Sequence, residues 1–339
     1  MPRIGIDLGG TKTEGVVMGP TGKILFRERR TTPAAQGYEA VLNNIRDIVR
    51  HLEAQAGGVR CPVGIGTPGA VSTLTGALKN SNTTCLIGKP IRDDLEKLLD
   101  RPVRIANDAN CFALSEAIDG AGKSEPVVFG VILGTGVGGG IVINGQLIEG
   151  LQHIAGEWGH NFLGREERYR DVPIAEPRKQ IGRASARPEG ASPRDGASHN
   201  MPEEDPLCYC GRRGCVETFL SGPGLARDYV AHGGKTGFDA EAIVAAAAQG
   251  DAAAETAMQR YLDHFGHALA VVINILDPHV IVLGGGMSNI KRLYTEGREH
   301  VARHVFNDEL RTKILPNVHG DSSGVRGAAQ LWPADHGLL

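Results

Sequence analysis

Three cysteines lie within eight positions of one another in LCYCGRRGCVE, residues 207–217, of a chain with six cysteines in all. Cys208, Cys210 and Cys215 have the spacing C-x-C-x4-C, which lets three thiolates surround one metal ion. A structural zinc site requires four nitrogen or sulfur ligands, so one ligand must come from elsewhere in the chain. A disulfide would leave one cysteine unpaired, and the usual redox spacing C-x-x-C is absent. The spacing therefore favours a metal site over a disulfide or a redox centre.

A candidate acid–base residue lies in RIANDAN, residues 104–110, where a strand pattern changes to a helix pattern at about Asp108. The amide groups at a helix N-terminus favour an ionised carboxylate, so Asp108 could accept the proton of a substrate hydroxyl. Asn107 beside it could hold a neighbouring hydroxyl. The alternative is that this Asn-Asp pair only caps the helix.

Three glycine-rich turns follow apolar strands and could bring the backbone close to phosphate groups. They are DLGGTKT at residues 7–13, GTGVGGG at residues 134–140 and LGGGMS at residues 283–288. Glycine accepts positive φ and has no Cβ, so backbone N–H groups can point at a phosphate chain. One such turn alone could be only a tight hairpin, but three of them after strands favour a nucleotide site, with the third against an adenosine.

The motifs argue against two common kinds of nucleotide site, the P-loop and the dinucleotide fingerprint. There is no GxxxxGK[ST] P-loop, and GTGVGG lies between two strands, which argues against a dinucleotide fingerprint. Asp7 ends the first strand, where a carboxylate could hold a Mg²⁺-bound water against the phosphates; the alternative is a turn-capping role. The predicted nucleotide-binding residues are Asp7, Gly9, Gly10, Thr11, Lys12, Thr13, Gly134, Thr135, Gly136, Gly138, Gly284, Gly285 and Gly286.

The elements that must position these residues alternate between strand and helix, which predicts an α/β sheet protein. The segments IGIDLGGTKTEGVVM and VFGVILGTGVGGGIVING share one plan: an apolar strand, a glycine turn with a threonine, and a second apolar strand. Two such hairpins about 125 residues apart predict two similar lobes that face each other across a cleft. The boundary between the lobes should lie close to residue 120.

The segment from about Gly164 to Asp205 differs in composition from the rest of the chain. It is rich in Arg, Pro, Gly and Glu, has very few apolar residues, and its charges nearly cancel. This composition predicts a mobile surface insertion, with a lid over the cleft as the alternative.

The overall composition is that of an ordinary soluble globular protein, with 41% hydrophobic and 22% charged residues among 339. The formal net charge of −3 gives no reason to expect nucleic acid or an acidic membrane surface as a partner. No stretch approaches the roughly 18 apolar residues that span a bilayer, and MPRIGIDLGG has no signal-peptide pattern. We therefore expect a cytoplasmic protein, in which Cys61, Cys85 and Cys111 are apolar fillers rather than ligands.

Five motifs in order, DLGGTKT, IANDANC, GTGVGGG, GEWGH and CYCGRRGCVE, resemble those of the ROK family (repressors, open reading frames and kinases). The resemblance covers nearly the whole chain outside about residues 164–205. Within the family, KNSNTT, GEWGHN and HGDSSGVRGAA are most similar to the fructokinase/mannokinase branch. The resemblance implies an actin-like ATPase-domain fold with two ribonuclease-H-like lobes, ATP in the cleft, and a homodimer. We expect lobes at residues 1–120 and 121–321, with a C-terminal helix at about 322–333 that packs back on the first lobe.

The resemblance also implies residue roles. Asp108 would be the catalytic base, and His160 in GEWGH, 48 residues before Cys208, would be the fourth zinc ligand. Zinc would then hold Glu157, His160 and Glu217 around one sugar, with one His160 ring nitrogen on the metal and the other facing a sugar hydroxyl. The insertion lengthens the connection between His160 and the cysteines, which loop closure tolerates. The implied sugar-binding residues are Gly69, Asn82, Asn107, Asp108, Glu157, His160 and Glu217.

The function expected from these features is an ATP- and Mg²⁺-dependent hexose kinase with a structural zinc ion, most similar to a fructokinase acting on the 6-hydroxyl. The alternatives within this class are kinases of N-acetylglucosamine, N-acetylmannosamine, glucose or mannose. A sugar-responsive repressor would carry a DNA-binding module before the DxGGT strand, which here begins at residue 3. A non-catalytic sugar sensor would not require a base at Asp108.

Overall fold

The computed structural model of this chain describes residues 1–81, 83–164 and 205–333. The predicted insertion therefore lies outside the described residues except at its two ends, and the predicted sugar contact Asn82 also lies outside them. The strands are β1 Arg3–Leu8, β2 Lys12–Met18, β3 Ile24–Thr31, β4 Val63–Thr67, β5 Ala70–Val71, β6 Leu78–Lys79, β7 Val103–Asn107, β8 Val127–Leu133, β9 Val137–Ile143, β10 Gln146–Ile148, β11 Val280–Gly284 and β12 Lys313–Pro316. The helices are α1 Tyr38–Gln55, α2 Ile91–Leu99, α3 Asp108–Ile118, α4 Val216–Leu220, α5 Gly222–Ala231, α6 Ala240–Ala248, α7 Ala252–Leu276, α8 Glu296–His304 and α9 Ser323–Gln330.

The first sheet has the strand order β3-β2-β1-β4-β7. Strands β1, β2 and β3 form an antiparallel meander, and β4 and β7 continue the sheet in parallel with β1. Helix α1 packs its apolar stripe on this sheet so closely that a Cβ on Gly15 would lie 2.5 Å from the Ile48 side chain. Because parallel strands end at one edge, the carboxyl ends of β1, β4 and β7 bring distant residues together there.

The second sheet repeats this plan with the order β10-β9-β8-β11-β12. Strands β8, β9 and β10 form the antiparallel meander, and β11 and β12 run parallel to β8. Its core includes one face of the long helix α7, which starts where the Asp251 side chain accepts the Ala254 N–H at 2.8 Å. The α/β organisation with two similar hairpin-led sheets confirms the sequence prediction.

Helix α9 at the C-terminal end of the described chain packs against β1 and β4 of the first sheet. A Cβ on Gly5 or Gly64 would overlap the α9 backbone, so both strands carry glycine where the helix crosses them. The sequence places this helix at about 322–333, and the structure places it at Ser323–Gln330. The division of the chain into lobes at residue 120 stays a prediction.

No helix in the described residues is long and apolar enough to cross a bilayer.

Candidate active site and metal site

Asp108 is the first residue of α3 and lies directly after the end of β7. Asn107 is the residue that caps this helix, because its Oδ1 accepts the Asn110 N–H at 2.7 Å. Asp108 is therefore not needed as the cap; the residue is exposed, and its Oδ1 accepts the Ala109 N–H at 2.9 Å. Desolvation by the surrounding walls raises the pKa of Asp108, and that N–H opposes the rise. A raised pKa makes this carboxylate a better proton acceptor.

Asp7 lies near the end of β1, half-buried and opposite Glu14 of β2. Its Oδ2 faces the start of α9, where a Cβ on Gly324 would lie 3.2 Å away. Burial raises the pKa of Asp7 to about 6, with further contributions from the charges of Asp108 and Glu14 and an opposing one from Lys12. A carboxylate whose pKa is raised by burial and by neighbouring carboxylates lies in a favourable environment for a hard divalent cation.

The turn between β1 and β2 is closed by backbone bonds and by a threonine pair. Gly9 N–H donates to the Lys12 carbonyl at 2.9 Å, and Thr32 Oγ1 donates to the Gly9 carbonyl at 2.7 Å. Thr13 is fully buried with its Oγ1 2.8 Å from that of Thr32, so its hydroxyl does not reach the cleft. The predicted phosphate contacts that are exposed in this turn are Gly10, Thr11 and Lys12.

The large cavity beside the second sheet has a volume of about 970 Å³. Gly134, Thr135 and Gly286 from the predicted nucleotide-binding set line it. Its remaining walls come from the starts of α5 and α6 and from the residues that follow Gly286. The sequence predicts the glycine turn after β11 as part of a nucleotide site, but the walls from α5 and α6 carry no phosphate-binding pattern and were missed by the sequence analysis. Those wall residues include Pro223, Phe238, Ala240, Glu241, Val244, Met287, Asn289 and Ile290. A mostly apolar cleft of this size with a few polar groups suits a nucleoside.

The other predicted glycines have packing roles at this edge. A Cβ on Gly284 would overlap the Phe112 ring, and Gly285 has a φ of 79° against the Leu133 carbonyl. A Cβ on Gly136 would lie 2.8 Å from the Glu217 carboxylate, and one on Gly138 would lie 3.1 Å from the Ala109 Cβ. These glycines let the β8–β9 turn and the end of β11 approach neighbouring elements.

The predicted sugar contacts Asn107, Glu157 and Glu217 lie on separate elements, and Glu157 is the one that lies near the charges of both Asp108 and Glu217. Asn107 Nδ2 donates to Glu157 Oε1 at 3.4 Å, and the Val137 N–H donates to Glu217 Oε2 at 3.0 Å. Burial raises the pKa of Glu157, with His160 opposing and Asp108 adding to the rise. Three carboxylates and an amide around one space provide the hydrogen-bond acceptors and donors that a polyhydroxylated ligand needs.

Gly69 follows β4 in a sharp turn beside Asn107. Its φ is 86°, and a Cβ would overlap the Lys79 carbonyl, so the turn requires glycine. Gly69 and Asn107 border a small polar cavity with Glu149 and His153. Gly69 therefore lies near Asn107, and its role as a sugar contact stays a prediction.

The three cysteines of residues 207–217 and His160 form one cluster, in which the four candidate ligand atoms lie within 4.8 Å of one another. His160 Nδ1 is 3.6 Å from Cys208 Sγ, and Cys210 Sγ is 3.6 Å from Cys215 Sγ. One imidazole and three sulfur donors converging on one point match the ligand set of a closed structural zinc site. These residues fit zinc.

The second ring nitrogen of His160 has a partner that the sequence analysis missed. His160 Nε2 lies 3.0 Å from Tyr209 Oη, and the two rings meet edge to face with centroids 5.2 Å apart. Burial, together with the charges of Glu217 and Glu157, raises the pKa of Tyr209 to about 12. In this ligand-free structure the nitrogen contacts a phenol from the metal loop, and its contact with a sugar hydroxyl stays a prediction.

Comparisons with known proteins show the family to which the chain belongs. The model of the ROK family matches residues 3–335. N-acetyl-D-glucosamine kinases of Salmonella heidelberg and Salmonella typhimurium are 39% and 38% identical over 333 residues, which cover 98% of this chain and 99% of theirs. A ROK hexokinase from Thermus thermophilus is similar in structure, with a TM-score of 0.77 and 29% identity over 97% of both chains. A ROK glucokinase from Streptomyces griseus, solved with glucose and AMPPNP, has a TM-score of 0.69 and 26% identity over 98% of this chain and 99% of that one.

Proposed function

This chain belongs to the ROK family and is an ATP-dependent sugar kinase with the family's actin-like ATPase fold, and we propose that it phosphorylates N-acetylglucosamine. Identity of 38–39% over nearly the full length to N-acetyl-D-glucosamine kinases supports this choice. The fructokinase/mannokinase branch favoured by short motifs is less well supported, because those motifs cover few residues. Kinases of N-acetylated sugars are also among the alternatives that the sequence leaves open.

The observation that carries the catalytic proposal is the position of Asp108. Asp108 is an exposed residue at the start of α3 with Asn107 taking the capping role, and Glu157 lies within reach of Asn107. In the proposed step, Asp108 accepts the proton of the sugar's 6-hydroxyl as that oxygen bonds to the terminal phosphorus of ATP. The bond between this phosphorus and the oxygen that bridges it to ADP breaks, and ADP leaves. Phosphoryl transfer needs positioning and charge neutralisation more than covalent chemistry from the protein.

The nucleoside of ATP is proposed to occupy the 970 Å³ cavity beside the second sheet. Its phosphates would then run past Gly134 and Thr135 toward the exposed residues of the first turn. Asp7 lies at that end, with a pKa raised first by burial and then by the negative charges of Asp108 and Glu14. Mg²⁺ supplies the positive charge that neutralises the phosphates and these carboxylates.

The metal loop is proposed to organise the sugar side of the cleft. His160, Cys208, Cys210 and Cys215 would hold zinc, which would anchor the loop to the segment that carries His160. Cys215 immediately precedes α4, and Glu217 in the first turn of that helix accepts the Val137 N–H at 3.0 Å. Fixing the loop therefore fixes Glu217, and through the Glu157–His160 segment it fixes Glu157. Homodimer formation, which the family resemblance implies, stays a prediction.

A panel of sugars tests the substrate. ADP release would be followed with ATP, Mg²⁺ and either N-acetylglucosamine, N-acetylmannosamine, glucose, mannose or fructose, using zinc-replete protein. We expect the highest kcat/KM for N-acetylglucosamine. A site that hydrogen-bonds a polar group rejects analogues without it by far more than an apolar pocket can, so the preference should exceed tenfold.

The other outcomes separate the remaining hypotheses. A preference for fructose would restore the fructokinase assignment and leave the roles of Asp108 and the zinc loop unchanged. No turnover of any sugar by folded, zinc-replete protein that still binds a sugar would identify a sensor instead of a kinase.

A further inference from the structure

The chain passes from the first sheet to the second through α3 and residues 119–126, and it returns through residues 317–322 into α9. Helix α3 packs against β8 and β9, α9 packs against β1 and β4, and the two helices pack against each other. A Cβ on Gly327 of α9 would overlap the Cys111 carbonyl of α3, so the two backbones are in direct contact. These two connecting segments and this helix pair therefore form the junction between the sheets.

Glu116 in the last turn of α3 lies at this junction and is fully buried. Its Oε2 accepts the N–H groups of Ala121 and Val318 at 2.9 and 3.1 Å. Its Oε1 accepts the Ser323 hydroxyl at 2.8 Å and the His319 N–H at 3.3 Å. One carboxylate thus bonds to both connecting segments and to the first residue of α9.

The fit around this carboxylate is close. A Cβ on Gly120 would overlap the Glu116 carboxylate, so the first connecting segment has glycine where it turns around the side chain. An ionised carboxylate has two acceptor oxygens, whereas an amide has one oxygen and one NH2 group that only donates. Glutamine at this position would therefore leave buried N–H groups facing a donor.

We propose that Glu116 is a positioning residue of the kinase, which holds the two connecting segments together and so sets the place of the first sheet relative to the second. This inference rests on the proposed function, which places the nucleoside beside the second sheet and Asp7 with Mg²⁺ at the edge of the first. Asp108 begins the helix whose last turn holds Glu116. Because a misplacement of about 1 Å can lower a rate about 10²-fold, the junction acts on catalysis without contacting a substrate.

Glu116→Gln tests this role on the full chain. We expect kcat to fall about 10- to 10²-fold at a temperature at which the variant is folded, because the reacting groups are no longer aligned. The Kd for AMP measured without sugar should stay unchanged, because the cavity that takes the nucleoside is lined by residues beside the second sheet alone. Steady-state kinetics, calorimetry and thermal unfolding measure these quantities.

A distance between the two sheets gives a readout that does not depend on turnover. Spin labels carried by unnatural amino acids would replace Asp100, after α2, and Phe306, after α8, whose side chains are 96% and 95% exposed. Pulsed electron resonance then reports the distribution of distances between the labels. This distribution should shift or broaden in Glu116→Gln.

Glu53→Gln is the matched control. The Glu53 carboxylate also accepts a backbone N–H, that of Cys61 at 2.8 Å, and it pairs with Arg101, but all three residues precede α3 and lie beside the first sheet. This variant should leave kcat and the label distance unchanged even where it lowers the melting temperature.

Ser323→Ala removes one of the four donors to Glu116 and decides the question if Glu116→Gln does not fold. It should lower kcat by a smaller factor. A folded variant with the parent kcat and the parent label distance would make Glu116 a stabilising residue only and overturn the proposal. A loss of AMP affinity as large as the loss of kcat would also overturn it, because the change would then lie within the second sheet. A shifted label distance, with a parent protein that phosphorylates no sugar, would overturn the proposed function and support the role of Glu116 at the junction.

Discussion

The two five-stranded sheets have the same order and pairing but carry opposite chemistry at corresponding places. In the first sheet, Asp7 lies one pair before the end of the β1–β2 hairpin, opposite Glu14. At the corresponding pair of the second hairpin lie Ile132 and Gly138. The first sheet therefore presents charge to the cleft, whereas the second borders a mostly apolar cavity.

The shared topology provides a sheet edge at the ends of β1 and β8, but the individual side chains at that edge determine what it can bind. A carboxylate at the end of β1 suits a cation and phosphates, and glycines at the end of β8 leave space for a nucleoside. Helix α3 packs against strands of both sheets, so its first residue, Asp108, stands between the two chemistries. Substitutions on each side should therefore have separable effects.

The largest effect is expected for Asp108→Asn, on the charged side. The amide cannot accept the hydroxyl proton, so kcat should fall by about 10²- to 10⁴-fold, the usual contribution of a general base. Asn107 continues to cap α3 in this variant, so the melting temperature should change little. Steady-state kinetics and thermal unfolding measure the two quantities.

Asp100→Asn is a suitable control for this substitution. Asp100 ends α2 in the left-handed conformation, which Asn also adopts, and its side chain is 96% exposed. It should leave kcat unchanged. A kcat of Asp108→Asn within tenfold of the parent value would mean that another group accepts the proton.

The next effect concerns Asp7 and is visible as a pH dependence. Its pKa of about 6 in the metal-free protein means that the carboxyl group is protonated below pH 6 and ionised above it. At limiting Mg²⁺, kcat/KM for ATP should therefore fall as the pH drops through about 6. Raising Mg²⁺ should move the midpoint to lower pH, because the cation competes with the proton. Asp7→Asn should lower kcat by about 10²-fold and abolish the fall in kcat/KM at low pH.

Glu14→Gln sharpens the same test. The charge of Glu14 is among the causes that raise the pKa of Asp7, so removing it should shift the acid limb to lower pH. If the pH midpoint of the fall in kcat/KM shifts neither with Mg²⁺ concentration nor with this substitution, the titrating group is not Asp7.

The sequence was sufficient for the fold because its signals are local. The glycine turn after β1, the repeat of that hairpin at β8 and the apolar stripe of α1 each depend on residues adjacent in the chain. The Asn-Asp pair at the start of α3 can be recognised from adjacent residues for the same reason. Only the structure shows that Asn107 caps the helix and that Asp108 does not.

The remaining parts of the site depend on contacts between distant segments. Nothing in the spacing of Tyr209 places its hydroxyl on His160, 49 residues earlier. The burial of Thr13 against Thr32 likewise depends on the β2–β3 pairing, so a threonine beside a glycine turn was assigned to phosphate from its type alone. The cavity walls from α5 and α6 carry ordinary apolar residues that resemble any core segment.

The smallest effect is expected on the apolar side, for Phe238→Ala. Phe238 lines the large cavity and packs on the Tyr229 ring with centroids 5.8 Å apart. Contact between an aromatic side chain and a nucleobase contributes about 1–3 kcal/mol, so KM for ATP should rise about tenfold. KM for the sugar and kcat should stay near the parent values, because the charged side of the cleft is unchanged.

Phe306→Ala is the matched control, since Phe306 is 95% exposed and does not line the cavity. It removes the same side-chain atoms and should leave both KM values unchanged. An equal rise in the two KM values for Phe238→Ala would show that the residue acts through packing of the whole second sheet. Nucleotide binding and sugar binding could then not be assigned to separate sheets, because a substitution beside the second sheet would also weaken binding of the sugar at the edge of the first.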